Sequence, residues 1–316
     1  MTAMRRSLSG IMCDAPPSCE CAAAPSVARR IRYEKGSACH LLPGVGTIGM
    51  LNARNRFMHM KLKPAFKDKK LVVFDLDGTL TPSKAPIRRD MVQALGRLLQ
   101  EKKVAVIGGG KYDQFLRQFV GKAKFSNDLL PQLHLFPTSA SAYYRWRKGW
   151  ERIYAHELPV ATKKAIMSAF AEVFKGQRYK HPKKIYGPLI EDRGTQISFS
   201  AVGQKAPLPV KTRWNKNNNR LRARFTKILE KKLPGLSVRM GGLTTIDITR
   251  KGIDKAYGIR QITKALGISR RDMLFVGDAI YPGGNDYAVV RAGVDYVKVA
   301  GPDDTKKVIR FLLGKS

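Results

Sequence analysis

The sequence predicts an α/β protein in which a doubly wound parallel sheet is interrupted by a smaller α+β insert. Three observations carry this. Short β-branched apolar runs alternate with amphipathic helical segments from Leu71 onward. The same alternation returns towards the carboxyl end, so the two ends read as halves of one sheet. Between them, from about Ile153 to Met240, the texture changes to alternating strands and a long charged helix.

Taken in order, residues 1–65 mix Pro, Ala, Ser, Cys and Arg without periodicity and are expected to form a disordered extension. Their arginines and few acids suit a transit peptide, but neither an amphipathic helix nor a signal-type apolar core accompanies them. A natural start at Met58 or Met60 would remove most of the segment. All four cysteines, Cys13, Cys19, Cys21 and Cys39, fall within it. They form no paired C-x-x-C units and have no histidine cluster, so neither a zinc site nor a stapling disulfide framework is expected. A cytoplasmic location follows from that pattern.

The first strand is "LVVFDL" from Leu71, and "RRDMVQALGRLLQEK" follows with Met91, Leu95, Leu98 and Leu99 at helical spacing. "VAVIGGG" reads as a second strand and "KYDQFLRQFVG" as a second helix. The insert contains the helix "VATKKAIMSAFAEVF", the alternating stretches "KKIYGPLI" and "TQISFSAV", the helix "NNNRLRARFTKILEKKL" and the strand "LSVRM". "TTIDIT", "DKAYGIRQITKALG", "DMLFVGD", "NDYAVVRAG", "DYVKVA" and "TKKVIRFLL" then resume the main alternation. The expected boundaries are a catalytic core over 66–152 and 242–316, with the insert over 153–241. Tyr143, Tyr144, Trp146 and Trp150 group where the insert begins and are expected to pack there.

Composition narrows the function classes. The chain has 316 residues, 43% of them hydrophobic, enough for a substantial core. No run of about 18 apolar residues is present, which speaks against a membrane span. Lys and Arg number 59 against 24 Asp and Glu, a formal charge of +35 that attracts phosphate in any form. The basic residues are scattered rather than gathered into a stripe, which weighs against a dedicated nucleic-acid reader.

The acids carry the chemistry. Ligands of open α/β sheets bind beyond the carboxyl ends of the strands, where "VVFDLDGTLTP" places Asp75 and Asp77. Residues two apart on an extended chain face the same way, so both carboxylates are expected to reach one point. Asp278 ends a later strand at the same edge, and Asp286 follows in the next loop. Carboxylates held close repel one another unless a proton or a cation intervenes. Four converging acids would suit Mg²⁺, a hard ion that prefers oxygen.

"DLDGTLTP", "DKAYG" and "GDAIYPGGND" resemble the haloacid dehalogenase superfamily of phosphotransfer enzymes over about Leu71 to Leu313. The mid-chain insert looks like a C2-type cap, and "DGTLTP", "RGTQISFSAVG" and "PGGNDY" are similar to the eukaryotic-type phosphomannomutases and their hydrolase relatives. The resemblance implies a Rossmannoid core in which Asp75 attacks phosphorus to form an aspartyl phosphate. Asp77 would protonate the leaving oxygen and later activate water. Lys255 would neutralise the phosphoryl oxygens and orient Asp75. Mg²⁺ would be held by Asp75, the main-chain carbonyl of Asp77 and Asp278, with Asp286 supporting that shell and Asn285 beside it. Arg193 matches a family substrate-binding position, Ser200 lies in a matching segment, and capped relatives often dimerise through the cap.

Two departures shape the expected activity. Where the family carries a hydroxyl in the second loop, this chain has Gly109, Gly110 and Lys111, whose glycine N–H groups can still cradle phosphate. Gln204 stands where phosphomannomutases place an arginine for the distal phosphate of the sugar, and an amide does not replace a bidentate guanidinium. The expectation is therefore a Mg²⁺-dependent phosphatase of a small sugar phosphate. Phosphomannomutase is the alternative, and a basic nucleic-acid-binding protein on an inactive scaffold is a third reading.

Overall fold

The computed structural model describes residues 62–314. Most of the expected extension, the four cysteines, Met58 and Met60 lie outside the described residues. Pro64–Asp68 already forms a 3-10 turn that buries Phe66, so packed structure begins just before the expected boundary.

From the amino end come β1 (Leu71–Asp75), α1 (Arg89–Glu101), β2 (Lys103–Ile107), the short helix α2 (Tyr112–Phe115), β3 (Leu133–Phe136), β4 (Ala142–Trp146) and β5 (Trp150–Ala155). Next are α3 (Val160–Gly176), β6 (Ile190–Asp192), β7 (Gln196–Ser200), α4 (Leu208–Lys232), β8 (Leu236–Met240) and β9 (Thr245–Arg250). The chain continues through α5 (Lys255–Leu266), β10 (Met273–Gly277), α6 (Tyr287–Arg291), β11 (Asp295–Lys298) and α7 (Pro302–Leu312).

Seven strands form the first sheet in the order β11-β10-β1-β2-β3-β4-β5. The pairs from β11 to β3 are parallel, and the β3–β4 and β4–β5 pairs are antiparallel. Strand β1 sits between β10 and β2 and is buried along its whole length, as a strand covered on both faces must be. Its alternation sorts the two faces. Val72 and Phe74 pack with Met91, Leu95 and Leu98 of α1 and with Val308 and Ile309 of α7. Leu71 and Val73 pack with Ile259 and Ile262 of α5. The same period of two sends Asp75 towards the α5 side, where Lys255 begins its helix.

The second sheet has the order β6-β7-β9-β8 and is antiparallel throughout. Ile197 and Phe199 of β7 and Ile246 and Ile248 of β9 pack under Phe170 of α3 and Phe225 and Leu229 of α4. The alternate residues Gln196, Ser198, Thr245 and Asp247 occupy the other face. This sheet corrects the expected boundaries. Thr245–Arg250, assigned from the sequence to the core, is an inner strand of the insert's sheet, and Trp150–Ala155 completes the first sheet. The strands of the second sheet therefore run from Ile190 to Arg250.

The aromatic group packs the β4–β5 hairpin as expected. Tyr143 stacks on Phe136 at 4.5 Å, Tyr144 on Tyr112 at 3.8 Å, and Trp146 meets Trp150 edge-on at 5.5 Å. Beneath it, His134 is buried and shares a 3.0 Å hydrogen bond with the Tyr143 hydroxyl. Burial, then repulsion from Lys103 and Arg145, lowers its pKa to about 4. The unfolded chain binds the proton near pH 6.5 and the folded chain only near 4, so stability is lost as the pH falls through that window. The loss is worth about 3 kcal/mol at most. His134→Gln is expected to flatten the slope of unfolding free energy between those pH values, as read by urea denaturation.

Candidate active site

Parallel register brings the acids to one edge of the first sheet. Phe74 lies opposite Val276, so β1 and β10 end side by side and deliver Asp75 and Asp278 together. One oxygen from each of Asp75, Asp278 and Asp286 falls within a group no wider than 4.8 Å. The Lys255 ammonium donates to Asp75 Oδ1 at 2.5 Å and also to Asp286 Oδ1, and all three side chains are buried. The second oxygen of Asp286 accepts from the Ala279 N–H at 3.0 Å. Asp286 is thus held by the protein, while Asp75 and Asp278 keep oxygens for a ligand.

The electrostatics fit a divalent cation. Burial raises the Asp75 pKa well above the carboxylate range, with Lys255 opposing and Asp286 and Asp278 adding repulsion. Burial and the charge of Asp286 push Asp278 up to about 6. Burial alone would lower the Lys255 pKa, but Asp286 and Asp75 outweigh it and hold the ammonium above its ordinary value. One lysine does not balance two buried carboxylates and a half-buried third, and a cation between Asp75 and Asp278 would relieve the excess.

Gly78 lets the two strand ends approach. Its φ is +91°, and a Cβ there would lie 2.5 Å from Asp278 Oδ2. Gly78→Ala combines backbone strain of about 1–3 kcal/mol with displacement of Asp278. The Mg²⁺ concentration giving half-maximal activity is expected to rise about tenfold or more, as measured by metal titration of turnover.

Asp77 departs from expectation. Strand β1 stops at Asp75, so the period-two alternation ends there and the Asp77 carboxylate lies outside the acid group. It accepts from the Lys84 N–H at 2.5 Å, from Gln118 at 2.8 Å and from Gln114 at 3.3 Å. The two glutamines, four residues apart beyond the second loop, were not singled out from the sequence. Paired amides at helical spacing among buried aromatic residues were the available signal.

Arg193, expected to bind substrate, is engaged within the protein. It pairs with Glu191 at 2.8 Å and reaches across to the Gly109 carbonyl at 2.5 Å. Gln196 donates to that carbonyl at 3.2 Å, so the insert closes over the second loop. The N–H groups of Gly109 and Gly110 have no acceptor among the described residues, as a phosphate cradle requires. Lys111 lies 3.8 Å from Glu191 and 3.5 Å from Asp113. Ser200 is not presented to the cleft: its hydroxyl donates to the Gly203 carbonyl at 3.0 Å and lies 3.1 Å from that of Thr244, fully buried in the turn after β7. Asn285 is exposed.

Gln204 occupies the centre of a cationic group. Lys84 donates to its carbonyl and side-chain oxygens, each at 2.9 Å, and Arg193 donates to the side-chain oxygen at 3.2 Å. Burial, then repulsion from Arg193 and Lys211, lowers the Lys84 pKa to about 8. Lys211 is itself buried and has no ion pair among the described residues. Neither lysine stood out in a chain this rich in lysine.

The comparisons with known proteins agree with this geometry. Residues 90–315 match the family described as eukaryotic phosphomannomutase. The chain belongs to that family. This phosphomannomutase-family chain is 28% identical over 262 residues to the phosphomannomutase of Saccharomyces cerevisiae, covering 78% of this chain and 96% of the yeast protein. It is 24% identical to human phosphomannomutase 1, covering 71% and 84% of the two chains. The family match begins after β1, so the place of Asp75 rests on the geometry above. In fold, the chain resembles the C-terminal domain of C. albicans trehalose-6-phosphate phosphatase, with TM-score 0.56, 14% identity and coverage of 80% and 95%. A haloacid dehalogenase-like hydrolase from Bacteroides thetaiotaomicron gives TM-score 0.53 at 16% identity, covering 77% and 99%. The architecture is therefore that of the haloacid dehalogenase superfamily. Among the described residues, no helix is long and apolar enough to cross a membrane.

Proposed function

We propose that the chain is a Mg²⁺-dependent phosphohexomutase interconverting mannose 6-phosphate and mannose 1-phosphate through an aspartyl phosphate on Asp75. Asp75 and Asp278, with the main-chain carbonyl of Asp77, would hold the ion, which when bound supplies positive charge against the carboxylates and the phosphoryl group. An Asp75 oxygen bonds to phosphorus as the ester P–O bond breaks, and Lys255 keeps that carboxylate oriented. Asp77, fixed by Gln114, Gln118 and the Lys84 N–H, gives a proton to the departing oxygen. It takes one back from the sugar hydroxyl that next attacks the phosphoenzyme.

The observation that carries the mutase reading is the second cationic group. Lys84 and Arg193 meet on Gln204, Lys211 adds its charge beside Lys84, and among the described residues Glu191 is the one carboxylate paired with this group. A phosphatase needs one phosphate site, whereas a mutase must hold the other end of a bisphosphorylated sugar while it turns. The missing arginine at 204 favoured a phosphatase from the sequence alone. Here lysines from two other segments supply the charge, which removes that preference, and the names of the relatives agree.

Phosphorus NMR of mannose 1-phosphate with the protein, Mg²⁺ and a catalytic amount of hexose bisphosphate tests the reading. Mannose 6-phosphate is expected to accumulate well ahead of inorganic phosphate. Release of inorganic phosphate alone would mean a phosphatase.

A further inference from the structure

Where helices α5 and α6 pack together on the core, their surface, with the turn that carries Arg270, forms an open depression of about 310 Å³ whose three arginines are exposed. Three arginines, Arg260, Arg270 and Arg291, line it, and Asp254 is its one acid. The rest of the lining is alanine, which keeps the floor low beneath the longer side chains. None of the residues of the acid group or of the cationic group around Gln204 lines this cavity, although Asp254 and Ala256 flank Lys255 in the chain.

Its charge is not neutralised from within. None of the three guanidinium groups has a carboxylate at ion-pair distance among the described residues. Asp254 is already engaged: it caps α5 by accepting from the Tyr257 N–H at 2.8 Å and pairs with Arg239 at 3.3 Å. Two of the arginines are also held in place. Arg270 donates to the Ala292 carbonyl at 3.2 Å, and Arg260 lies 5.7 Å from the centre of the Tyr257 ring. Ala256 belongs to the first turn of the twelve-residue helix α5, where N–H groups lack helical acceptors and the helix dipole is positive.

We propose that this cavity is a second binding site, which takes the phosphate group of a small phosphorylated metabolite. Guanidinium forks match phosphate oxygens in pairs, and three arginines without a carboxylate partner among the described residues line one depression. The volume lies at the lower end of the range for small-molecule sites, which admits the phosphate group of a metabolite. This inference does not rest on the mutase reading.

Calorimetric titration of the full chain with inorganic pyrophosphate tests it. The wild type is expected to show two sites, one in the cleft and one in the cavity. Arg260→Ala/Arg291→Ala should weaken one site about tenfold or more while leaving the other and the melting temperature unchanged. Arg193→Ala should weaken the cleft site and spare the cavity. Arg220→Ala/Arg224→Ala, removing two exposed arginines of α4, serves as a charge control. The proposal is overturned if the wild type shows only the cleft site, if Arg260→Ala/Arg291→Ala binds as the wild type does, or if the charge control loses as much.

Discussion

Asp75→Asn is expected to lose turnover by on the order of 10⁴-fold or more, because an amide oxygen is too weak a nucleophile to take the phosphoryl group. The fold should survive. Lys255 keeps its pairing with Asp286, and removal of one of three mutually repelling carboxylates does not penalise the native state. A coupled mutase assay alongside a thermal melt separates the two effects: activity is expected to vanish while the melting temperature stays level or rises. Residual activity within tenfold of the wild type would remove Asp75 from the chemistry.

Lys255→Met should produce the largest loss of stability. Its ammonium touches both Asp75 and Asp286, and methionine leaves those buried carboxylates, with Asp278 beside them, without a protein cation. Breaking a buried ion pair from one side costs about 3–5 kcal/mol. The loss should be partly recovered by Mg²⁺, since the ion stabilises the native state by binding there, and more strongly in the variant than in the wild type. Urea denaturation with and without Mg²⁺ reads both quantities. Equal Mg²⁺ effects in variant and wild type would show that the ion does not share the acid group with Lys255.

Much of this centre was legible before the fold was known. Asp75, Asp278 and Asp286 each follow an apolar strand or its loop, so their shared edge follows from local pattern, whereas Lys255 is picked out only by the family resemblance of "DKAYG". The direction of Asp77 was not legible, because the alternation rule holds only while the strand continues and β1 ends one pair too early. Nor was the sheet membership of Thr245–Arg250. Its alternating "TIDITR" suits either sheet, and only pairing with β7 and β8 decides between them. Lys84 and Lys211 were hidden by abundance, since 59 basic residues give no local sign of which two will be drawn in near Gln204 and Arg193. Ser200 shows the converse: its segment resembled a substrate-binding one, but the turn around Gly203 claims its hydroxyl.

The insert's contribution follows from the same alternation. Apolar residues of β7 and β9 face α3 and α4, leaving Gln196, Ser198 and Asp247 on the side that meets the second loop. Asp247 is held away from solvent, and that burial, opposed chiefly by Arg193, raises its pKa from the ordinary value. It accepts from the Ser198 hydroxyl at 2.5 Å and stands beside the loop that carries Gly109. The contact between Arg193 and the Gly109 carbonyl therefore draws the insert onto the core, where core Lys84 links Asp77 and the insert's Gln204.

The most direct test of the whole account is to trap the phosphoenzyme. Brief incubation with a radiolabelled hexose bisphosphate and Mg²⁺, followed by acid quenching and peptide mapping, should place a hydroxylamine-labile label on the peptide containing Asp75. Label that persists in Asp75→Asn, or that maps to any peptide other than this one, would contradict the account.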